Sequence, residues 1–164
     1  MDIYAAHKKY VFDLAGMTNT IPDTGQEDKA TASFYTEERG VAVPAPCLSC
    51  TFKYAQGCYL STSEDLAKFG NAVLYAGKLL KSETLTTLVK SQKFPNGKKT
   101  GYGFGFSSGS DGKYLWYGHN GGYTGSRSAY RVYPEKQVVI AILVNKDLEQ
   151  VDRLAEDIAD VVLK

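Results

Sequence analysis

The segment 102–146 constrains the fold more than any other part of the chain. It alternates aromatic residues with glycine in YGFGFSSG, turns at Ser110-Asp111-Gly112 and returns through KYLWYGH. Period-two patterning broken by an Asp-Gly turn signal predicts a hairpin. RSAYRVYP and the apolar run VVIAILVN predict a second strand pair around the turn PEKQ. A helix opening at Asp147 would carry Val151, Leu154, Ala155, Ile158, Val161 and Val162 on one side, an apolar stripe able to cover one face of that sheet.

Upstream the period is helical. Residues 3–14 place Ile3, His7, Tyr10, Val11 and Leu14 on one face, with Gly16 as the stop. Ser61 and Glu64 have capping-box spacing ahead of a helix whose Leu66, Phe69 and Val73 face the core and whose stop is Gly77. Ser82 is the expected cap of a further helix, with Leu85, Leu88 and Val89 inward. Residues 26–57 lack periodicity and contain Pro44 and Pro46, so a long connection is expected there, with a short strand at Ala32–Thr36. The expected class is α+β: an antiparallel sheet of about 3–5 strands with flanking helices. One unit spans 1–164, with helices and a long loop over 1–100, strands over 101–146 and a helix over 147–164.

Composition narrows the partners. Lys and Arg (19) nearly cancel Asp and Glu (18), which leaves no nucleic-acid footprint in the overall charge. No apolar run approaches the ~20 residues of a membrane span, and the compartment stays open. Cys47, Cys50 and Cys58 lie close together, and Cys47-Leu-Ser-Cys50 has the spacing of half a zinc knuckle or a redox pair. No second such pair follows and neither histidine stands at finger spacing, so no metal or other cofactor is expected; plain thiols or a local disulfide are.

One of the two histidines sits in YGHNGGYTGSRSAYRVYP. Alone, GHNGG reads equally as a bulge with a solvent-facing histidine or as a strand offering backbone to a ligand. Four segments together resemble the serine β-lactamase-like, penicillin-binding-protein-like hydrolases, in their class C β-lactamase, esterase and D-alanyl-D-alanine carboxypeptidase branch with its mitochondrial relatives. YVFDLAGMTNT is similar to the segment ending in PLGM-x-x-T, and KYAQGCYLSTSEDLAKFGNAVL to the helix aGG-x-x-ST-x-x-DL-x-kF. YGFGF resembles YG-x-GW, and GHNGGYTGSRSAYRVYP the strand GH-x-G. The resemblance implies a β-lactamase/transpeptidase-like fold, acyl transfer to serine, and hydrolysis of a small-molecule or peptide ester, amide or β-lactam. His119 would act on the active-site strand and Gly122 would lend its N–H to the oxyanion hole; Asn120, Gly121, Tyr123 and, more remotely, Tyr54 would border the substrate.

The resembling family places its nucleophile in Ser-x-x-Lys and a further acid–base group in Tyr-x-Asn, both ahead of the PLGM-like segment. Here the one Ser-x-x-Lys is Ser110-Asp-Gly-Lys113, at a turn signal rather than on a helix, and Tyr-x-Asn does not occur. The resemblance therefore implies only the C-terminal portion of such a domain, inactive alone, bound to an N-terminal portion or self-associating through uncovered apolar surface or an unpaired strand edge. A non-catalytic binding or assembly module derived from the fold is the alternative.

Overall fold

The computed structural model describes residues 1–26, 31–46, 48–74, 78–147 and 150–164. A helical run opens the chain: α1 (Ile3–His7), a π-helical turn (Lys8–Phe12) and α2 (Asp13–Ala15), stopped by Gly16 at φ +75°. The π turn rotates the rest of the run about its axis, so the buried residues are Phe12 and Ala15, while Ile3, Tyr10 and Leu14 lie exposed. The face expected from a uniform 3.6-residue period is thus largely the outer one.

β1 (Ile21–Pro22) pairs with β4 (Tyr59–Leu60). Between them lies a hairpin of β2 (Tyr35–Glu38) and β3 (Val41–Pro44), where a largely structureless connection was expected. A disulfide joins Cys50 to Cys58, Cα atoms 5.7 Å apart, and closes a loop that contains the 3₁₀ turn Thr51–Lys53. Closing so short a loop contributes about 2–3 kcal/mol in the chain-entropy account. Iodoacetamide should therefore label Cys50 and Cys58 only after reductant is added, as read by peptide mass. Cys47 lies outside the described residues.

α3 (Ser63–Leu74) begins one residue later than the capping-box spacing indicates. Thr62, not Ser61, is the cap: its Oγ1 accepts from the Asp65 N–H at 3.1 Å and its carbonyl accepts from the Leu66 N–H. Gly77 lies outside the described residues. α4 (Ser82–Val89) leans Leu85 and Val89 on the core.

The central sheet has four antiparallel strands in chain order: β5 (Ser107–Asp111), β6 (Tyr114–Tyr123), β7 (Ser126–Tyr133) and β8 (Val138–Val144). Residues 102–106, expected in the first strand, instead form a loop touching the sheet through a Tyr102–Ser107 bridge. α5 (Val151–Val162) covers one face, with Val151, Ala155, Ala159 and Leu163 packed on Ala129, Tyr133 and Ile140. The stripe is narrower than expected, because Leu154, Val161 and Val162 turn outward. α3 and α4 cover the other face, around Val73, Tyr117, Tyr130 and Val132.

The fold is thus α+β, a sheet between helices of its own chain. The expectation of only the C-terminal part of a β-lactamase/transpeptidase-like fold, with uncovered apolar surface or an unpaired edge, is corrected here in that α5 packs on one sheet face and α3/α4 on the other, although Leu115 and Leu143 stay exposed. Among the described residues no helix is long and apolar enough to cross a membrane.

Candidate active site

Strand lengths create the site. β5 pairs with β6 only from Tyr114 to Gly118, whereas β7 pairs with it as far as Tyr123. From His119 to Tyr123 one edge of β6 therefore has no strand beside it among the described residues, and its main-chain groups on that side face outward. Gly118, where β5 ends, has no room for a side chain: a Cβ there would stand 1.8 Å from the Tyr130 carbonyl oxygen.

Alternation along β6 puts His119 and Gly121 on the face of Tyr117, the α3/α4 side, and Asn120 and Gly122 on the α5 side. His119 is exposed, with Nδ1 2.6 Å from the Asn120 carbonyl oxygen and Nε2 3.0 Å from the Tyr102 hydroxyl. Tyr130, across from His119 on β7, is no candidate base: burial, and then the neighbouring Tyr117, push its phenol well above the usual tyrosine range. Tyr117 is itself pushed up to about 12 by burial.

Asn120 is drawn away from His119. Its Nδ2 donates to Asp152 Oδ1 at 2.5 Å, on the first turn of α5, so the side chain anchors the strand from behind. Asp152 also meets Arg131, whose guanidinium is buried against Asp111 at 2.6 Å and lies over the Trp116 ring at 4.5 Å. Arg131 and Arg127 share a face, as their spacing indicates, but neither rests on an open solvated sheet: Arg127 pairs with Asp147 at 2.7 Å and caps the β6–β7 turn through the Tyr123 and Ser126 carbonyls.

Gly121 faces Ser128, whose Oγ would stand 2.4 Å from an added Cβ, so a side chain there would force Ser128 aside. Gly122 has ordinary room, Arg127 lying 3.4 Å from the same construction. Tyr123 is half-buried under the ammonium of Lys53, which lies 5.2 Å from its ring centre and 5.4 Å from that of Phe52. The disulfide-closed loop thereby borders the end of the free edge. Tyr54, on that loop, instead stacks on Tyr59 at 5.4 Å and donates to the Asp23 carbonyl at 3.4 Å. His119 and the two glycines are together, Tyr123 is beside them, and Asn120 and Tyr54 are otherwise engaged.

Ser110 has no nucleophile geometry. It lies on β5 opposite Leu115, and Gly112 at φ +59° turns the chain before Lys113. A hollow of about 290 Å³ lies there, between that turn and the end of α5, at the other end of β6 from His119. No cluster of His, Cys, Asp or Glu suited to a metal ion occurs among the described residues. Tyr102 and Lys53 were missed as site residues; the signal for Tyr102 was its place between Gly101 and Gly103, which marks a loop as readily as a strand.

The chain belongs to the Beta-lactamase family, whose model matches residues 5–163. Among solved structures it is similar to an octameric penicillin-binding protein homologue from Pyrococcus abyssi, at 24% identity and a TM-score of 0.79, covering 98% of this chain and 38% of that one. A D-stereospecific amidohydrolase from Streptomyces sp. is similar at 22% identity and TM-score 0.74, over 93% of this chain and 47% of that one. The D-amino acid amidase from Ochrobactrum anthropi SV3 gives 20% identity and 0.77, over 97% and 51%. At these identities the likeness shows the fold. No curated protein matches.

The family match runs along this chain nearly end to end. It overturns the reading of the chain as only the family's C-terminal portion, and with it the expected partnership with an N-terminal portion. As a matter of length, the chain spans about half or less of each of these solved chains.

Proposed function

We propose that the free edge of β6 is an acyl-recognition edge, built to bind an ester, amide or β-lactam. The observation that carries this reading is the offset between β5 and β7, which opens His119–Tyr123 on one side only. An extended ligand gains affinity from such an edge through main-chain hydrogen bonds. Gly121 and Gly122 keep the approach clear of side chains, and Gly122 is assigned as an oxyanion donor, a contribution of ~3–4 kcal/mol to the transition state where such donors have been removed. His119 and Tyr123 border the acyl group, Lys53 adds positive charge at the Tyr123 end, and Asn120 holds the strand through Asp152.

The amidase and amidohydrolase among the similar structures make a D-amino acid amide the first ligand to try. Titrating ¹⁵N-labelled protein with D-phenylalanine amide, and separately with benzylpenicillin, should shift the amide signals of 119–123 while those of β8 stay fixed. Shifts scattered over the surface, or none at millimolar ligand, would sink the reading. Ammonia released from the amide then separates hydrolysis from binding alone.

A further inference from the structure

We propose that Tyr102 is a positioning residue for His119, holding its imidazole on the free edge of β6 as the neutral Nδ1–H tautomer. Nδ1 stands 2.6 Å from the Asn120 carbonyl oxygen, which can only accept, so in a neutral ring Nδ1 is the donor. Nε2 is then an acceptor, and the hydroxyl 3.0 Å away on Tyr102 donates to it. The two rings meet edge to face, 5.6 Å apart at 85°, which fixes the imidazole plane as well as its tautomer.

Tyr102 is delivered by a loop built to hold it. The Tyr102 carbonyl accepts from the Gln92 N–H at 2.8 Å and from Thr100 Oγ1 at 3.0 Å, and Thr100 Oγ1 in turn accepts from the Tyr102 N–H at 3.1 Å. Gly101 takes φ +76°, a conformation L side chains rarely adopt, and Gly103 runs so close to α4 that a Cβ would lie 2.1 Å from the Leu88 carbonyl oxygen. A tyrosine left 40% exposed yet held by this much backbone gives little to core stability. Its side chain instead meets His119.

The inference deepens the acyl-recognition reading, and its test keeps the two apart. Long-range ¹H–¹⁵N correlation at about pH 8, where a free imidazole is neutral, reports the tautomer directly. The wild type should show His119 as the Nδ1–H form, and Tyr102→Phe should move it to a mixture. His7, whose Nδ1 contacts the Tyr59 hydroxyl at 2.8 Å, is the internal reference and should not change. D-phenylalanine amide should bind Tyr102→Phe roughly two- to tenfold more weakly, the usual reach of one hydrogen bond. An unchanged His119 tautomer in Tyr102→Phe, or a mixture already in the wild type, overturns the proposal even if the ligand binds at 119–123. If the tautomer responds and no ligand binds, the Tyr102–His119 contact stands and the acyl-recognition reading falls.

Discussion

Arg131→Ala should lower the free energy of unfolding by about 3–5 kcal/mol, the range seen when one partner of a buried ion pair is removed. Arg131 is 2% exposed, and its guanidinium meets the buried Asp111 carboxylate at 2.6 Å. Asp111 also accepts from Trp116 Nε1 at 3.1 Å and from the Tyr133 hydroxyl. Removing the cation leaves a carboxylate in an apolar layer, with two neutral donors in place of a counter-ion. A typical domain has only about 5–15 kcal/mol to lose. The double variant Arg131→Met/Asp111→Asn should recover much of the loss, because the introduced amide can accept from Trp116 through its oxygen and donate its N–H₂ to the Tyr133 hydroxyl, without a charge. Urea unfolding read by tryptophan fluorescence tests this; a loss below about 1 kcal/mol, the size of a surface pair, would contradict it. The effect should reach the candidate site, since Asp152 links Arg131 to Asn120, and the amide signals of 119–121 should broaden before the protein unfolds.

The same residues show why part of the structure was legible in the sequence and part was not. Strands β6, β7 and β8 were legible because turn residues punctuate alternating patterns in the first two and bound a continuous apolar run in the third. The surroundings of Arg131 were not legible, because sequence spacing gives a residue's side of the sheet, not what lies across it. Its partners are Asp111 on β5 and Asp152 on α5, and only tertiary packing brings them together. The opening helix shows a different failure: a π turn adds a residue to one turn and carries the apolar face round with it, a local event that no average period contains. At the site, the motif carried His119 and the two glycines, whereas the free edge itself follows from β5 ending five residues short of β7 along β6, which no motif encodes. Tyr102 was hidden because Gly-Tyr-Gly-Phe-Gly alternates like a strand while its glycines serve a loop. The absent motifs led to the reading of a C-terminal portion alone, which the family match over residues 5–163 overturns.

Asp65→Asn should cost about 2–3 kcal/mol at neutral pH, and much less in acid. Asp65 is 0% exposed in the first turn of α3, where it accepts from the Asn19 N–H at 2.7 Å, Thr20 Oγ1 at 3.0 Å and Lys68 Nζ at 3.2 Å. Burial alone pushes this carboxyl up, but the donors from Asn19, Thr20 and Lys68 outweigh it and hold the group below the usual aspartate range. A carboxyl with a folded-state pKa below its unfolded value of about 3.9 adds stability that is fully present above that value. That contribution is lost as pH falls through the folded-state pKa. Wild type and Asp65→Asn should therefore differ most at pH 7, and the gap should close as pH falls below the unfolded value and through the lower folded-state pKa, where the native carboxylate takes up a proton. The substituted amide would still offer one acceptor oxygen, but it turns an N–H₂ toward donors that the carboxylate had satisfied. Urea unfolding of both proteins at pH 7 and at steps down into acid separates this from a simple packing defect, which would cost the same throughout.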